Sequence, residues 1–156
     1  MKRRILFVCM GNICRSPTAE AVARKKAQLA GLADLIEFDS AGTHSYHIGD
    51  APDERAIAAG AKRGYDLTPL RARKFEASDF TRFDYVLALD DENLAHLAWL
   101  CPKENRARLK RLLDFAPGCK TRDVPDPYYG NVDGFNRVID LVEQGVDGLM
   151  TELLKL

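Results

Sequence analysis

The chain has 156 residues, 46% of them apolar and 29% charged, which suits one globular domain over 1–156 and excludes a disordered chain. Twenty-three basic residues balance 23 acidic ones, so no nucleic-acid partner is expected. The first apolar run, Ile5 to Met10, is too short for a membrane span or an export signal, so a cytoplasmic location and reduced thiols at Cys9, Cys14, Cys101 and Cys119 are expected.

The elements follow in chain order. Arg4–Cys9 is a continuous apolar run bounded by Gly11, the pattern of a strand buried on both faces. Ser16-Pro17 reads as an N-cap followed by a preorganised first helical residue, and Ala19, Val22, Ala23 and Ala27 recur at helical spacing until Gly31. Leu35–Ser40 alternates and reads as a strand nearer a sheet edge. Asp50 to Glu54 opens a second helix that ends near Gly64. Tyr85–Leu89 is a third strand, Asp90 to Leu100 a third helix stopped by Pro102, and Ala107–Leu113 a weaker fourth strand. Asp114–Asn131, with Pro117, Pro125 and Pro127, reads as a long structureless stretch of the kind that carries function. From Asp133 onward, Phe135, Val138, Ile139, Val142, Val146, Leu149, Met150 and Leu153 give a long amphipathic helix. Strand and helix alternate four times. That predicts an α/β, three-layer sandwich: a four-stranded parallel sheet with helices on both faces, and a ligand site at the carboxyl ends of its strands.

One such end is Cys9-Met10-Gly11-Asn12-Ile13-Cys14-Arg15-Ser16-Pro17. Gly11 permits positive φ and Asn12 tolerates it, so successive N–H groups can turn inward as an anion nest at a helix N-terminus. Arg15 can add a bidentate fork to a phosphate. A thiol in such a field ionises more readily than a free one, and a thiolate facing a phosphate invites phosphoryl transfer. Residues 1–26 strengthen the case, with seven basic residues against one acidic residue. The bare Cys-x5-Arg spacing is unspecific in a chain with fourteen arginines, and Cys9 also reads as a buried core cysteine. Read alone, Asp126 between Pro125 and Pro127 is a turn aspartate, and Tyr128-Tyr129 is packing.

The Cys9–Pro17 loop nevertheless resembles the signature of the low-molecular-weight protein tyrosine phosphatases. So do Asp39-Ser40-Ala41-Gly42-Thr43, Phe83-Asp84-Tyr85, Asp90 and Asp126-Pro127-Tyr128-Tyr129, and the likeness spans nearly the whole chain. It implies a Rossmann-like, phosphotyrosine phosphatase I-like fold and hydrolysis of phosphotyrosine through a phosphocysteine. Cys9 would be the nucleophile, Arg15 the phosphate clamp and Asp126 the general acid and base. Met10, Gly11, Asn12, Ile13, Cys14 and Ser16 would surround the phosphate, with the Ser16 hydroxyl on the thiolate. Asn12 and Ser40 would hold the loop in shape, and Tyr128 and Tyr129 would face Met10 and Tyr46 across the substrate ring. Substrates would be phosphotyrosine-containing proteins or peptides, inorganic phosphate and vanadate would compete, and no metal or cofactor is expected. Cys14 is expected to capture oxidised Cys9 as a disulfide.

The sequence departs from the family at Leu70, where many members carry a histidine that braces the loop asparagine, so Asn12 needs another partner. Three relatives in scaffold or chemistry fit less well. An arsenate reductase needs a cysteine relay that Cys101 and Cys119 do not match. A protein-arginine phosphatase favours threonine where Ile13 stands. A sugar-transport phosphocarrier needs neither Arg15 nor Asp126. A pure phosphopeptide-binding module would require Asp126 to be out of place.

Overall fold

The structure is a computed structural model that describes residues 2–128, 130 and 132–155, with the Val132 side chain left out. Tyr129, expected on the substrate wall, lies outside the described residues. The strands are β1 (Arg3–Cys9), β2 (Ile36–Gly42), β3 (Tyr85–Ala88) and β4 (Leu109–Arg111). The helices are α1 (Arg15–Leu29), α2 (Glu54–Lys62), α3 (Asp79–Arg82), α4 (Asp91–Leu100) and α5 (Val132–Leu154). All strand pairs are parallel, in the order β2-β1-β3-β4.

The apolar run of β1 explains its central place. Ile5, Leu6, Phe7 and Val8 are fully buried. Because side chains alternate along a strand, Ile5, Phe7 and Cys9 enter one core, packed by α1, α2 and α5. Leu6 and Val8 enter a second core with Phe75, Phe80 and Phe83 near α3 and with Leu97 of α4. Strand β2, the one whose sequence alternates, is an edge strand. Helix α5 lies so close to the turn after β4 that a Cβ on Gly148 would sit 1.7 Å from the Phe115 carbonyl oxygen. Only glycine fits there.

Four expectations change. Helix α1 starts at Arg15 with Cys14 as its N-cap residue and no side-chain cap, so Ser16 is not the cap. The fourth strand shrinks to three residues between the 3-10 turns Lys103–Arg108 and Leu112–Phe115. The short helix α3 carries too few residues for a periodic signal. The stretch after Asp114 is irregular but not unorganised: Arg122 donates to the carbonyls of Leu113, Ala116, Pro117, Cys119 and Thr121.

The order β2-β1-β3 means the chain leaves β1 for one neighbour and later returns to its other side. The resulting switch point lies beside the carboxyl end of β1, where Cys9 stands.

Candidate active site

Between Cys9 and Ser16 the loop carbonyls are taken up from outside. Thr43 N–H donates to Cys9 O at 2.9 Å, His44 N–H to Met10 O at 3.0 Å, and Asp53 N–H to Ile13 O at 2.8 Å. The Thr18 hydroxyl donates to Cys14 O at 2.7 Å. In a planar trans peptide the next N–H points opposite to the carbonyl. The N–H groups of Met10, Gly11, Cys14 and Arg15 are thereby turned away from those partners, on the side where the loop lines a cavity. Asn12 makes the turn with φ 57°, the only positive φ outside glycine among the described residues. Gly42 of β2 lets this happen close by, because a Cβ there would meet Met10 O at 2.7 Å.

The Asn12 amide is oriented without ambiguity by a backbone donor. Arg73 N–H donates to Asn12 Oδ1 at 3.0 Å, so Asn12 Nδ2 donates to Ser16 Oγ at 2.8 Å. The Ser16 hydroxyl proton is then free to point at Cys9 Sγ, 3.0 Å away, and Ser16 N–H also reaches that sulfur at 3.5 Å. Arg73 N–H is therefore the partner that Asn12 needs in place of a side chain at position 70. Ser40, expected to hold the loop, makes its side-chain hydrogen bond elsewhere. Its hydroxyl donates to the buried Glu20 of α1 at 2.7 Å.

The cavity has a volume of about 260 Å³. Cys9, Met10, Gly11, Ile13, Cys14 and Arg15 line it from one side, and Tyr46, His47, Asp126 and Tyr128 close it from the other. Arg15 is almost fully buried. Its Nη1 donates to Asp90 Oδ2 at 2.5 Å and to Val124 O at 3.0 Å, while Nη2 lies 3.8 Å from Asp126 Oδ2. Burial opposes the Arg15 charge, but Cys9, Asp90 and Asp126 outweigh it and hold the guanidinium above its ordinary pKa. Burial also pushes the Cys14 thiol well up, and Asp53 adds to that. Asp126 Oδ1 accepts the Tyr128 N–H at 3.0 Å, an Asx turn that shapes the acid segment.

Two side chains matter here whose roles the sequence does not give. Asp90 caps α4 through Asn93 N–H with one oxygen and holds Arg15 with the other. Arg55 reaches across the cavity rim to donate to Tyr128 O at 2.8 Å and Gly130 O at 3.2 Å, and is itself held by Asp53. An aspartate before a helix and an arginine two residues on carry no such signal. His47 lines the cavity mouth beside the Tyr128 ring, with Asp50 on its Nδ1. A larger cavity of about 640 Å³ lies against β2, and among the described residues no cysteine or histidine lines it. Among the described residues no cluster of His, Cys, Asp and Glu could hold a metal, and no helix is long and apolar enough to cross a membrane.

With this geometry in view, the comparisons are specific. The family profile described as low molecular weight phosphotyrosine protein phosphatase matches residues 4–156. A low molecular weight protein-tyrosine-phosphatase of Streptomyces coelicolor is 48% identical over 153 residues, covering 96% of this chain and 93% of that protein. A low molecular weight phosphotyrosine protein phosphatase of Rattus norvegicus is 39% identical, over 87% of this chain and 86% of that one. The crystal structure of a protein tyrosine phosphatase from Entamoeba histolytica, with Hepes in its active site, superimposes with a TM-score of 0.96. It is 43% identical, covering 99% of this chain and 98% of that one.

Proposed function

The chain belongs to the low molecular weight phosphotyrosine protein phosphatase family, and from that premise we propose that it hydrolyses phosphotyrosine and small aryl phosphates through a phosphocysteine. One observation carries the reading: a thiol, a guanidinium and a carboxyl from positions 9, 15 and 126 meet around one cavity.

The phosphate sits in the loop, its equatorial oxygens on the inward N–H groups and Arg15. The Cys9 thiolate attacks phosphorus as the bond to the phenol oxygen breaks, and Asp126 gives that oxygen its proton. Asp126, now a carboxylate, takes a proton from water. The water oxygen attacks phosphorus, the S–P bond breaks, and phosphate leaves the restored thiolate. The Ser16 hydroxyl stabilises that thiolate as it forms and leaves. Met10, Tyr46, Tyr128 and Tyr129 receive the aromatic ring, and inorganic phosphate and vanadate compete for the loop.

Asp126→Asn tests the acid role across aryl phosphates of graded phenol pKa. The loss of kcat is expected to grow as the leaving group becomes more basic, because a poor leaving group needs its proton most. An equal loss across the series removes Asp126 from that role. Phosphate release is expected to persist in EDTA.

The same reading gives Cys14 a part in oxidation. A sulfenic acid on Cys9 condenses with the Cys14 thiol, forming a disulfide and releasing water. Since burial keeps Cys14 protonated, this capture speeds up with rising pH. Peroxide-treated wild type is expected to recover in dithiothreitol, and Cys14→Ser to stay inactive. Full recovery of the variant overturns the role.

A further inference from the structure

Beside the cavity lies a second one, of about 530 Å³, that no step of the proposed chemistry uses. Tyr46 lines both and forms the partition between them. His44 stacks on Tyr46 with ring centroids 5.3 Å apart, and His96 of α4 lies 5.6 Å from His44. Phe75 and Leu100 supply apolar surface to this groove, and Lys74 lines it as well.

The charge is one-sided. Among the described residues no aspartate or glutamate lines the groove, and Lys74 is the one formally charged group that does. Neighbouring Arg73 is taken up by Asp39 and Asp79 at 3.0 Å each. Lys74 is exposed and, among the described residues, makes no ion pair. The groove is also registered to the catalytic loop by main chain. Residues Thr43 and His44 donate to Cys9 O and Met10 O, and the Lys74 segment bridges to Gly42, with Phe75 N–H on Gly42 O at 2.8 Å. A group bound in the groove is thereby held at a fixed place relative to Cys9.

We propose that this groove is a specificity subsite that takes an acidic side chain flanking the phosphotyrosine of a peptide substrate, with Lys74 as its counter-charge. The proposal rests on the phosphotyrosine reading above. An aspartate or glutamate within a few residues of the phosphotyrosine would pass over Tyr46, lay its carboxylate near Lys74 and the imidazoles, and bury its methylenes on Phe75 and Leu100. The contact is exposed, so the expected gain is modest and falls with salt.

The test is a set of phosphotyrosyl peptides in which one glutamate is moved through the three positions on either side, each compared with its alanine counterpart. In wild type the glutamate-to-alanine ratio of kcat/KM is expected to reach about fivefold at one position on one side and to shrink as salt is raised. Lys74→Ala is expected to bring that ratio to about one, and Lys74→Glu to invert it. The ratio is internal to each variant, so a change in folding or in overall rate does not enter it. A wild-type ratio of one at every position, or a ratio that survives Lys74→Glu, overturns the subsite. Failure of wild type to hydrolyse p-nitrophenyl phosphate and phosphotyrosine overturns the hydrolase reading instead.

Discussion

Two segments face each other across the cavity and are built in opposite ways. From Cys9 to Ser16, all but Met10 and Gly11 are buried, the carbonyls are held by donors from three other segments, and the one strained residue is locked from both ends of its amide. The segment carrying Asp126 is held at Val124, whose N–H reaches Leu89 O and whose carbonyl accepts from Arg15, and at Tyr128 and Gly130, whose carbonyls accept from Arg55. Asp126 between them is 37% exposed. The difference fits the proposed division of labour. Donors that meet developing charge act best when they need no rearrangement. A carboxyl that serves first a leaving group and then a water gains from standing open to both.

Asn12 is where the rigid segment can be broken hardest. Asn12→Ala removes the amide that orients Ser16 and puts an unsuited residue at φ 57°. Asn12→Gly accepts that φ but also lacks the amide. If the amide is what counts, both variants are expected to lose about 100-fold in kcat for p-nitrophenyl phosphate, within the range for removing a preorganised donor. If backbone strain is what counts, glycine should retain most of the rate. Recovery in the glycine variant would therefore demote the chain from Arg73 through Asn12 to Ser16.

The segment that carries Asp126 is tested through Asp53, with a smaller expected effect. Asp53 caps α2 through Arg55 N–H and holds the Arg55 guanidinium, whose hydrogen bonds keep the Asp53 carboxyl below its ordinary pKa. Asparagine also caps helices well, so Asp53→Asn isolates the ion pair. With Arg55 released from Asp53, kcat is expected to fall about fivefold while phosphate affinity stays within about twofold. The sign of the pH effect follows from the depressed pKa. The stabilisation is present above the unfolded value of about 3.9 and is lost as pH falls through the folded value. Acid unfolding of Asp53→Asn should thus show a shallower slope below about pH 4. An unchanged slope and unchanged kcat would detach Arg55 from that segment.

How much of this was legible depended on whether the signal was local. The buried run of β1, the glycine and asparagine of the turn, and the alternation of strand and helix are all short-range patterns, and they gave the sheet and the loop. The pairing of Asn12 with Arg73 was not legible, because a main-chain donor 61 residues away leaves no residue-type trace. Ser40 illustrates the reverse. Its place in a family motif pointed to the loop, but the alternation of β2 turns its hydroxyl to Glu20. Ser16-Pro17 read as a helix start two residues late, because the N–H groups a cap would occupy are left to the cavity. Asp126 carried no signal of its own, and only the distant motif singled it out.

Leu70 offers the mildest test of the rigid segment. Where the family resemblance leads one to expect a bracing histidine, a leucine packs half-buried on the core formed with α1, α2 and α5. Asn12 does not lack a brace, since its Oδ1 accepts Arg73 N–H at 3.0 Å and Nδ2 serves Ser16. That donor is itself anchored, because the Arg73 guanidinium is clamped between Asp39 and Asp79. A main-chain donor in a fixed segment brings no side-chain entropy cost that a histidine could reduce. Leu70→His is therefore expected to leave phosphate affinity and kcat within about twofold. Replacing an apolar contact by an imidazole should cost about 1 kcal/mol, a fall of about 3 °C in melting temperature for a chain of this size. A rise in both phosphate affinity and melting temperature would mean that the Arg73 brace is weaker than its geometry and that the histidine completes it.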